Sequence, residues 1–439
     1  MRHITIGILI LLISVDFANL SAQESGSITW ESGWKNGYYL KSSDGQFDLS
    51  FGGRFMYDGV ETLFYESALT EYAGAPSDGI FARRARFFNS GRVYGNVNYK
   101  LEFDFSGGSA SLKCACIRID KVPYIGRISF GHLKEPFGME ENSSSRYITF
   151  MERSLTSLFT PSRNAGIMLN NQVLDERFTW AVGAFRDTDS RGLAEGSWRS
   201  DVNFTARVTS VPWKSEDGEK LLHVGFAFRR SAYDSVKYSS SPGVKQQPDF
   251  VNTGNIGEVS GVNTSGIELA TAMGPLSLQA EYISNDIFRT ISDTVSDNTK
   301  DISTIFSAFY AYGSVFLTRG DRRPYSTSSG TFGRVAPQKN LGKKGGWGAL
   351  ELAARYSRLD LVDGKSLVQD DGFTGSSLIA GGIVENISVG VNWYLNPVTR
   401  IMVNYVYTDL QNAENNADPD DISAIGNAGF LQTRFQFDF

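Results

Sequence analysis

The sequence has few of the residues on which enzymes and metalloproteins depend. Its 439 residues include two cysteines and three histidines, which is little material for a metal cluster or a catalytic Ser–His pair. It also has no glycine-rich phosphate-binding motif. We therefore expect no enzyme activity, no bound metal and no cofactor. The net charge of −6 argues against a protein that binds nucleic acid.

Long apolar runs are also missing beyond the first residues. The run Ile4–Ile13 follows a short basic start and precedes small residues that end near Ala22. This pattern predicts a secretory signal peptide over residues 1–22. No later segment approaches the roughly 20 apolar residues that a transmembrane helix needs. We expect an exported chain whose mature part, residues 23–439, has no helical anchor.

What the sequence has instead is alternation of apolar and polar residues with a period of two. From Val93 to Phe105 the odd positions are almost all apolar and the even positions are polar or charged, as on the two faces of one long strand. Arg84, Arg86 and Arg92 extend the polar face toward the start. An apolar face on so long a strand is typical of a membrane-spanning barrel.

Similar stripes continue to the last residue, including Phe178–Ala184, Leu222–Phe228, Ile387–Trp393 and Phe435–Phe439. A sheet in lipid cannot leave an edge unpaired, so these strands must close into a barrel. The mature length suits about sixteen strands at roughly 26 residues per strand and connection, and eighteen are not excluded. We predict an all-β, antiparallel transmembrane β-barrel with short turns at one end and long loops at the other. A secreted β-sandwich would not explain the aromatic-ended stripes.

Several segments, taken in order, resemble the phosphate-selective porin O and P family. They are, among others, Ala82–Arg86, Gly131–Glu140, Pro161–Gly166, Arg323–Tyr325 and Asn392–Pro397. The resemblance implies a trimeric outer-membrane barrel with an arginine ladder that conducts anions and a third extracellular loop that folds inward as a constriction. It places this loop between Lys134 and Arg163, and its basic residues are Lys134, Arg146, Arg153 and Arg163.

The chain departs from the family pattern after Asp104, where it has Cys114 and Cys116. A disulfide between residues two apart in a strand would be strained, and an isolated C-x-C is a poor zinc site. We interpret the two cysteines as small residues in the barrel wall.

The alternation directs a set of basic side chains into the lumen, namely Arg84, Arg86, Arg92, Lys100, Arg118, Arg207, Arg355 and Arg434. Arginine suits an anion path because its planar fork donates two hydrogen bonds and remains charged. Acidic residues such as Glu102 and Asp104 share the same face, so each arginine can equally be half of an ion pair in the wall. Acids on the loop opposite bases on the wall would create the transverse field of a general-diffusion porin.

Our first hypothesis is a passive outer-membrane porin of a Gram-negative bacterium that conducts small anions, phosphate among them. Its expected partners are those anions, the surrounding lipid and further copies of the chain in a homotrimer. Two alternatives remain. One is a general-diffusion or sugar porin, although inward aromatics such as Tyr94 and Tyr394 are few. The other is an adhesin or structural barrel that works through its loops.

Overall fold

A computed structural model describes residues 28–194, 202–293, 298–343, 345–364, 368–370, 373–413 and 422–439. The signal peptide predicted over residues 1–22 lies outside these ranges. Sixteen antiparallel strands form a closed barrel, which confirms the predicted fold class. Its helices are short, and among the described residues none has the length and apolar character of a membrane span.

The strands follow one another in chain order as β1 Trp30–Trp34, β2 Tyr38–Ser42, β3 Asp48–Tyr65, β4 Gly79–Val93, β5 Val97–Asp104, β6 Ser111–Val122, β7 Gly126–Lys134, β8 Arg163–Val173, β9 Phe178–Arg186, β10 Asn203–Lys214, β11 Lys220–Ser231, β12 Val236–Ser240, β13 Val251–Ile256, β14 Val259–Met273, β15 Leu276–Ser292, β16 Thr299–Phe316, β17 Tyr325–Ser326, β18 Thr331–Phe332, β19 Ala349–Asp363, β20 Val368–Asp370, β21 Phe373–Gly375, β22 Ile379–Asn396, β23 Thr399–Ala413 and β24 Ile422–Asp438. The barrel wall consists of β3–β11, β14–β16, β19 and β22–β24. The helices are α1 Ser67–Ala73, α2 Met139–Asn142 and a 3-10 turn at Leu155–Leu158.

The barrel closes where the last strand, β24, pairs with β3. Arg434 lies opposite Asp58 and Asp438 opposite Arg54 in this antiparallel register. The backbones of Gly53 and Phe439 complete the seam by exchanging two hydrogen bonds of 2.7 and 3.1 Å. No lipid-exposed edge is left at this seam, as a sheet in hydrocarbon requires.

The two faces of the wall differ as the alternation predicts. Large apolar side chains point outward at every second position, for example Ile267 and Leu269 on β14 and Phe435 on β24. Polar and charged side chains between them point into the lumen, where neighbouring segments bury them. Such alternation is what lipid outside and water inside demand of each strand.

The segment Arg84–Phe105 is a hairpin and not the single strand that its alternation suggests. The chain reverses at Tyr94–Asn96, so that β4 and β5 lie antiparallel with Val93 opposite Val97. Tyr94 and Gly95 take positive φ values of 51° and 75° to make this tight turn. Because the turn has three residues, even-numbered positions carry the inward side chains on both strands. The alternation of polar and apolar residues therefore continues through the turn and does not reveal it.

The connections at one end of the barrel are mostly long, and those at the other end are tight turns such as 94–96, 123–125 and 274–275. One connection breaks the predicted pattern. Residues 317–348, between β16 and β19, lie at the short-turn end, yet they form a long segment that contains β17 and β18. This segment, hereafter the inner segment, turns back into the lumen, where Tyr325 donates to or accepts from His223 Nδ1 at 2.6 Å.

Apolar packing fills part of the lumen at the long-loop end. The connection 232–258 carries Val244 and Phe250, which are completely buried. They belong to one apolar cluster with Ile287, Phe306 and Leu359 from the inner face of the wall. Each large side chain buried in this way contributes about 1.5–3 kcal/mol. This side of the barrel mouth is therefore closed by a core.

Candidate functional site

The segment between β7 and β8, residues 135–162, folds into the barrel as predicted, and we call it the constriction loop. Lys134 and Arg163 lie opposite each other as the last residue of β7 and the first residue of β8. They therefore stand at the base of the loop, on the wall. Arg146 and Arg153 lie on the loop itself.

The wall holds the constriction loop through buried carboxylates. Glu281 on β15 accepts the backbone N–H groups of Met139 and Glu140, at 2.9 and 2.6 Å, at the start of α2. At the loop's first residue, Glu135 accepts from Arg229 Nε at 3.1 Å and from Asn164 at 2.6 Å. These contacts satisfy loop donors that would otherwise be buried without partners.

Arginines on the opposite wall and on the inner segment hold the far part of the loop by its carbonyl groups. Arg400 donates to Ile148 O at 2.9 Å, Arg323 to Tyr147 O at 2.7 Å and Arg355 to Glu152 O at 3.0 Å. Arg434 donates to the backbone of Met151 and forms a two-pronged pair with Asp58 at 2.6 and 2.7 Å. The loop is thus fastened along much of its length.

The acids of the constriction loop are each engaged by nearby bases. Glu152 pairs with Arg83 at 2.6 Å, and Glu141 pairs with Arg153 at 3.0 Å and with Lys134 at 3.6 Å. Burial by itself would raise the pKa of each carboxyl. The adjacent guanidinium groups lower it by more than burial raises it, so both pKa values lie below the usual value of 4.5. Each of these loop carboxylates therefore lies in direct contact with at least one base.

Between the loop and the inner faces of β4–β8 lies an open cavity of about 400 Å³, hereafter the central cavity. Eleven basic and two acidic side chains line it. The bases are Arg54, Arg83, Arg84, Arg86, Lys100, Lys113, Arg118, Lys134, Arg146, Arg153 and Arg163, and the acids are Glu102 and Glu141. An excess of one sign in a cleft with low-dielectric walls concentrates the opposite sign of ion.

The bases of the central cavity divide into paired and unpaired groups. Six have a carboxylate partner, as Arg86 has in Asp104 at 2.6 Å and Lys100 has in Glu102 at 2.6 Å. Within the described ranges no carboxylate pairs with the other five, hereafter the unpaired cations, which are Arg84, Lys113, Arg118, Arg146 and Arg163. Arg84 has one polar contact, with the sulfur of Met56 at 3.5 Å.

The central cavity adjoins two others. Toward the long-loop end it shares Arg83, Arg84, Glu141 and Arg153 with a cavity of about 220 Å³ that reaches Lys245. Toward the short-turn end it shares Arg118, Lys134 and Asn142 with a cavity of about 270 Å³. That third cavity extends to Arg127 and to the inner segment at Ser328 and Ser329. The shared lining residues place the three cavities side by side along the barrel, and we call this row of cavities the path.

The structure sorts the predicted lumen residues by position. Arg84, Arg86, Lys100 and Arg118 line the central cavity, as do all four residues named for the constriction loop. Arg207 lines the cavity at the short-turn end while paired with Glu268 at 2.7 Å. The remaining three lie off the path: Arg355 and Arg434 hold the loop, and Arg92 pairs with Asp48 near the turns.

Two lining residues, Arg83 and Lys113, are missed by strict alternation. Both sit at β-bulges: the register jumps past Arg83 between β3 and β4, and past Lys113 between β5 and β6. A bulge inserts one residue and changes which face the next side chain takes. Consecutive residues such as Arg83 and Arg84 can therefore both line the path. In the sequence, the adjacent arginines Arg83 and Arg84 are the feature that could have indicated a bulge.

The two histidines within the described residues, His132 and His223, are wall residues with hydrogen-bond partners. His223 contacts Tyr325 at 2.6 Å and Glu268 at 3.2 Å, and His132 contacts Thr188 at 3.1 Å. In the part of the chain that the structure describes, no group of three or more His, Cys, Asp or Glu side chains could hold a metal ion.

Comparison with known proteins agrees with this geometry. The family model described as phosphate-selective porin O and P matches residues 74–439. Porin O of Pseudomonas aeruginosa is 27% identical to the chain, over 92% of this chain and 91% of that protein.

Solved structures give the same fold at lower sequence identity. The outer-membrane protein OmpT of Vibrio cholerae, in its trimer form, is similar with a TM-score of 0.50 and 12% identity, over 90% of this chain and 99% of that one. Another structure of OmpT, expressed in the outer membrane, gives a TM-score of 0.51 and 10% identity over 90% and 98% of the two chains. At these identities the likeness concerns the fold alone.

Proposed function

Because the chain belongs to the phosphate-selective porin O and P family, we propose that it conducts small anions passively, with phosphate-like oxyanions as the preferred class. Membership makes the protein a porin of the Gram-negative outer membrane, and a channel rather than an enzyme. The choice of solute is the part that we propose.

One observation carries the proposal: the unpaired cations line the central cavity, in the middle of this row of adjoining cavities. A guanidinium whose charge is already neutralised by a carboxylate attracts a passing anion less strongly than an unpaired one does. Arg84, Arg118 and Arg163 have no such partner among the described residues and line the central cavity. An anion that enters there replaces lost water contacts with charge-assisted hydrogen bonds.

The positions of the unpaired arginines along the path allow a bound anion to move on to a neighbouring site. Arg84 lines both the central cavity and the cavity at the long-loop end, whereas Arg118 lines the central cavity and the one at the short-turn end. An anion held at one site therefore finds another positive site next to it in either direction. Several moderate sites in series support conduction better than one tight site.

Oxyanions such as phosphate suit this lining better than chloride does. Arginine offers a planar pair of N–H donors that matches two oxygens of one phosphate. Five of the eleven bases in the cavity are unpaired, and four of these five are arginines. The family description, phosphate-selective porin O and P, points the same way. We also propose a homotrimer, since a similar OmpT structure is described as a trimer.

Reversal potentials across a planar bilayer under a salt gradient test the proposal. We expect anion preference in the native protein, and block of the chloride current by added phosphate. The triple variant Arg84→Gln, Arg118→Gln and Arg163→Gln should lose most of both effects. A matched triple, Arg92→Gln, Arg230→Gln and Arg358→Gln, removes the same charge away from the path and should keep both. Cation preference in the native protein would refute anion conduction, and equal losses in the two triples would refute the path.

A further inference from the structure

Cys114 and Cys116, which depart from the family pattern, form a close pair on the inner face of β6. Each side chain is 5% exposed, and both are free thiols. Their sulfur atoms are 2.8 Å apart. A disulfide bond requires about 2.05 Å between the sulfurs, so a movement of about 0.8 Å would close it.

A β-bulge at Lys113 lies directly before the pair, while Cys114 and Cys116 themselves stand in regular register opposite Glu102 and Lys100. Cys114 lies opposite Glu102, and the register then jumps so that Leu112 lies opposite Phe103. A bulge bends its strand and increases the local twist. The regular spacing of side chains along the strand is therefore interrupted next to the thiols.

The pair also faces the anion path. Cys114 lines the central cavity together with Lys113 and Arg118, two of the unpaired cations. Cys116 lies opposite Lys100 in the register of β5 and β6. A reagent that reaches Cys114 from the path must cross positively charged surroundings, which favour anions over cations.

We propose that Cys114 and Cys116 are a reactive dithiol that anionic oxidants, drawn into the path, convert to an intrastrand disulfide. The electrostatic half of this inference rests on the proposed anion path. The pairing of the thiols does not, because it follows from their 2.8 Å separation alone.

The reaction balances with a dianionic polythionate as oxidant. A Cys114 thiolate attacks a central sulfur of tetrathionate, breaks its central S–S bond and releases one thiosulfate. The Cys116 thiolate then attacks the Cys114 sulfur, forms the Cys114–Cys116 bond and releases the second thiosulfate. The two thiols lose two protons and two electrons, and tetrathionate gains the two electrons. A negatively lined pore would repel this dianionic oxidant and a neutral pore would not concentrate it, whereas the positively charged central cavity raises its local concentration.

The first experiment tests the pairing on the full-length barrel in detergent micelles. After reduction and removal of the reductant, the neutral oxidant diamide is added, free thiols are alkylated, and the intact mass is measured. We expect the native protein to lose two hydrogens and accept no alkyl group. Cys114→Ser and Cys116→Ser, checked for folding by heat-dependent gel mobility, should each remain open to alkylation. If the folded native protein keeps both thiols, the dithiol is refuted, whatever the charge of the pore.

The second experiment compares tetrathionate with cystamine, a dicationic disulfide that performs the same exchange. Each rate is divided by the rate of the same reagent with dithiothreitol in solution. We expect tetrathionate to be favoured by about tenfold or more, and the preference to fall in the Arg84, Arg118 and Arg163 triple variant. Equal normalised rates would overturn the electrostatic half while the diamide result stands. Reversal potentials on the same preparation show separately whether anion conduction itself has failed.

Discussion

The lumen has two sides that use the same residue type for different tasks. On the inner faces of β14–β24 and on the inner segment, buried arginines hold carboxylates and loop carbonyls, as Arg434 holds Asp58 at 2.6 Å and Arg323 holds Glu351 at 2.7 Å. On β4–β8, Arg84, Arg118 and Arg163 face open space without a carboxylate. An arginine in this lumen therefore holds the structure together where a carboxylate or a loop carbonyl lies within about 3 Å, and the proposed anion path uses those that have no carboxylate partner.

The largest expected effect is on the packed side. Arg434→Met leaves Asp58 and part of Glu152 buried without their partner, which should cost about 3–5 kcal/mol of unfolding free energy. Guanidinium unfolding in micelles, followed by gel mobility, measures this loss. Arg230→Met, on the outer face near the rim, is the control with the same chemical change. A loss no greater than that of the control would contradict the assignment of Arg434 as a residue that holds the structure together.

The next effect concerns the constriction loop. Glu281→Gln replaces one of two carboxylate oxygens that accept the N–H groups of Met139 and Glu140. We expect a loss of about 1–3 kcal/mol at this anchor, a looser loop and a higher single-channel conductance. Glu219→Gln on an exposed turn should leave the conductance unchanged. An unaltered conductance in a folded Glu281→Gln barrel would mean that other contacts suffice to hold the loop.

Two neighbouring arginines sharpen the comparison within one strand. Arg86→Gln should lower stability by about 1–3 kcal/mol because Asp104 loses its partner. Arg84→Gln should not lower stability, since no carboxylate is left behind, yet it should lower the anion-to-cation permeability ratio by about two- to fivefold. Denaturation midpoints and reversal potentials of the two variants provide the test. The opposite ranking of stabilities would break the distinction between paired and unpaired cations.

The smallest mutational effect is expected at Arg92. Its side chain is 42% exposed and pairs with Asp48 near the turns, away from the path. Exposed pairs contribute about 0–1 kcal/mol. Arg92→Gln should thus alter neither the unfolding midpoint nor the permeability ratio measurably. A clear loss of anion preference would place part of the path at the mouth beside Arg92.

Between pH 8 and pH 5 we expect no change in selectivity. The pKa values of Glu141 and Glu152 lie below 4.5 because arginines beside them outweigh the effect of burial. A lowered carboxyl pKa means that the contribution of the ion pair is lost only as the pH falls toward that lowered value. Reversal potentials across this pH range provide the measurement, and a midpoint near pH 6 would show that another group controls the path.

The fold could be predicted because contact with lipid imposes the same requirement on every strand of the barrel. Each outward position must be apolar, and this requirement repeats along the chain from Phe51 to Phe437. The hairpin turn at Tyr94–Asn96 is not visible in the alternation, because a three-residue turn leaves the inward side chains on even-numbered positions in both strands. The inner segment, 317–348, was missed because its end of the barrel was expected to carry only short turns.

The site was predicted in part. The alternation of polar and apolar residues identified Arg84, Arg86, Lys100 and Arg118 as inward residues. It could not distinguish Arg84, which has no carboxylate partner, from Arg86, which pairs with Asp104. That distinction depends on which strand lies alongside and where its bulges fall. The bulges at Arg83 and Lys113 depend on pairing between strands, which one strand's sequence does not reveal.

The sequence by itself determined the barrel and, away from the bulges, the side of the wall on which each charge lies, because these follow from local periodicity. Its resemblance to a known family indicated the stretch that folds inward. Only the tertiary structure decided which charges neutralise one another and which remain available to a solute. Electrostatic pairing falls off over a few ångströms. The partners are far apart in the chain, as Arg434 and Asp58 are, and only closure of the barrel brings them together.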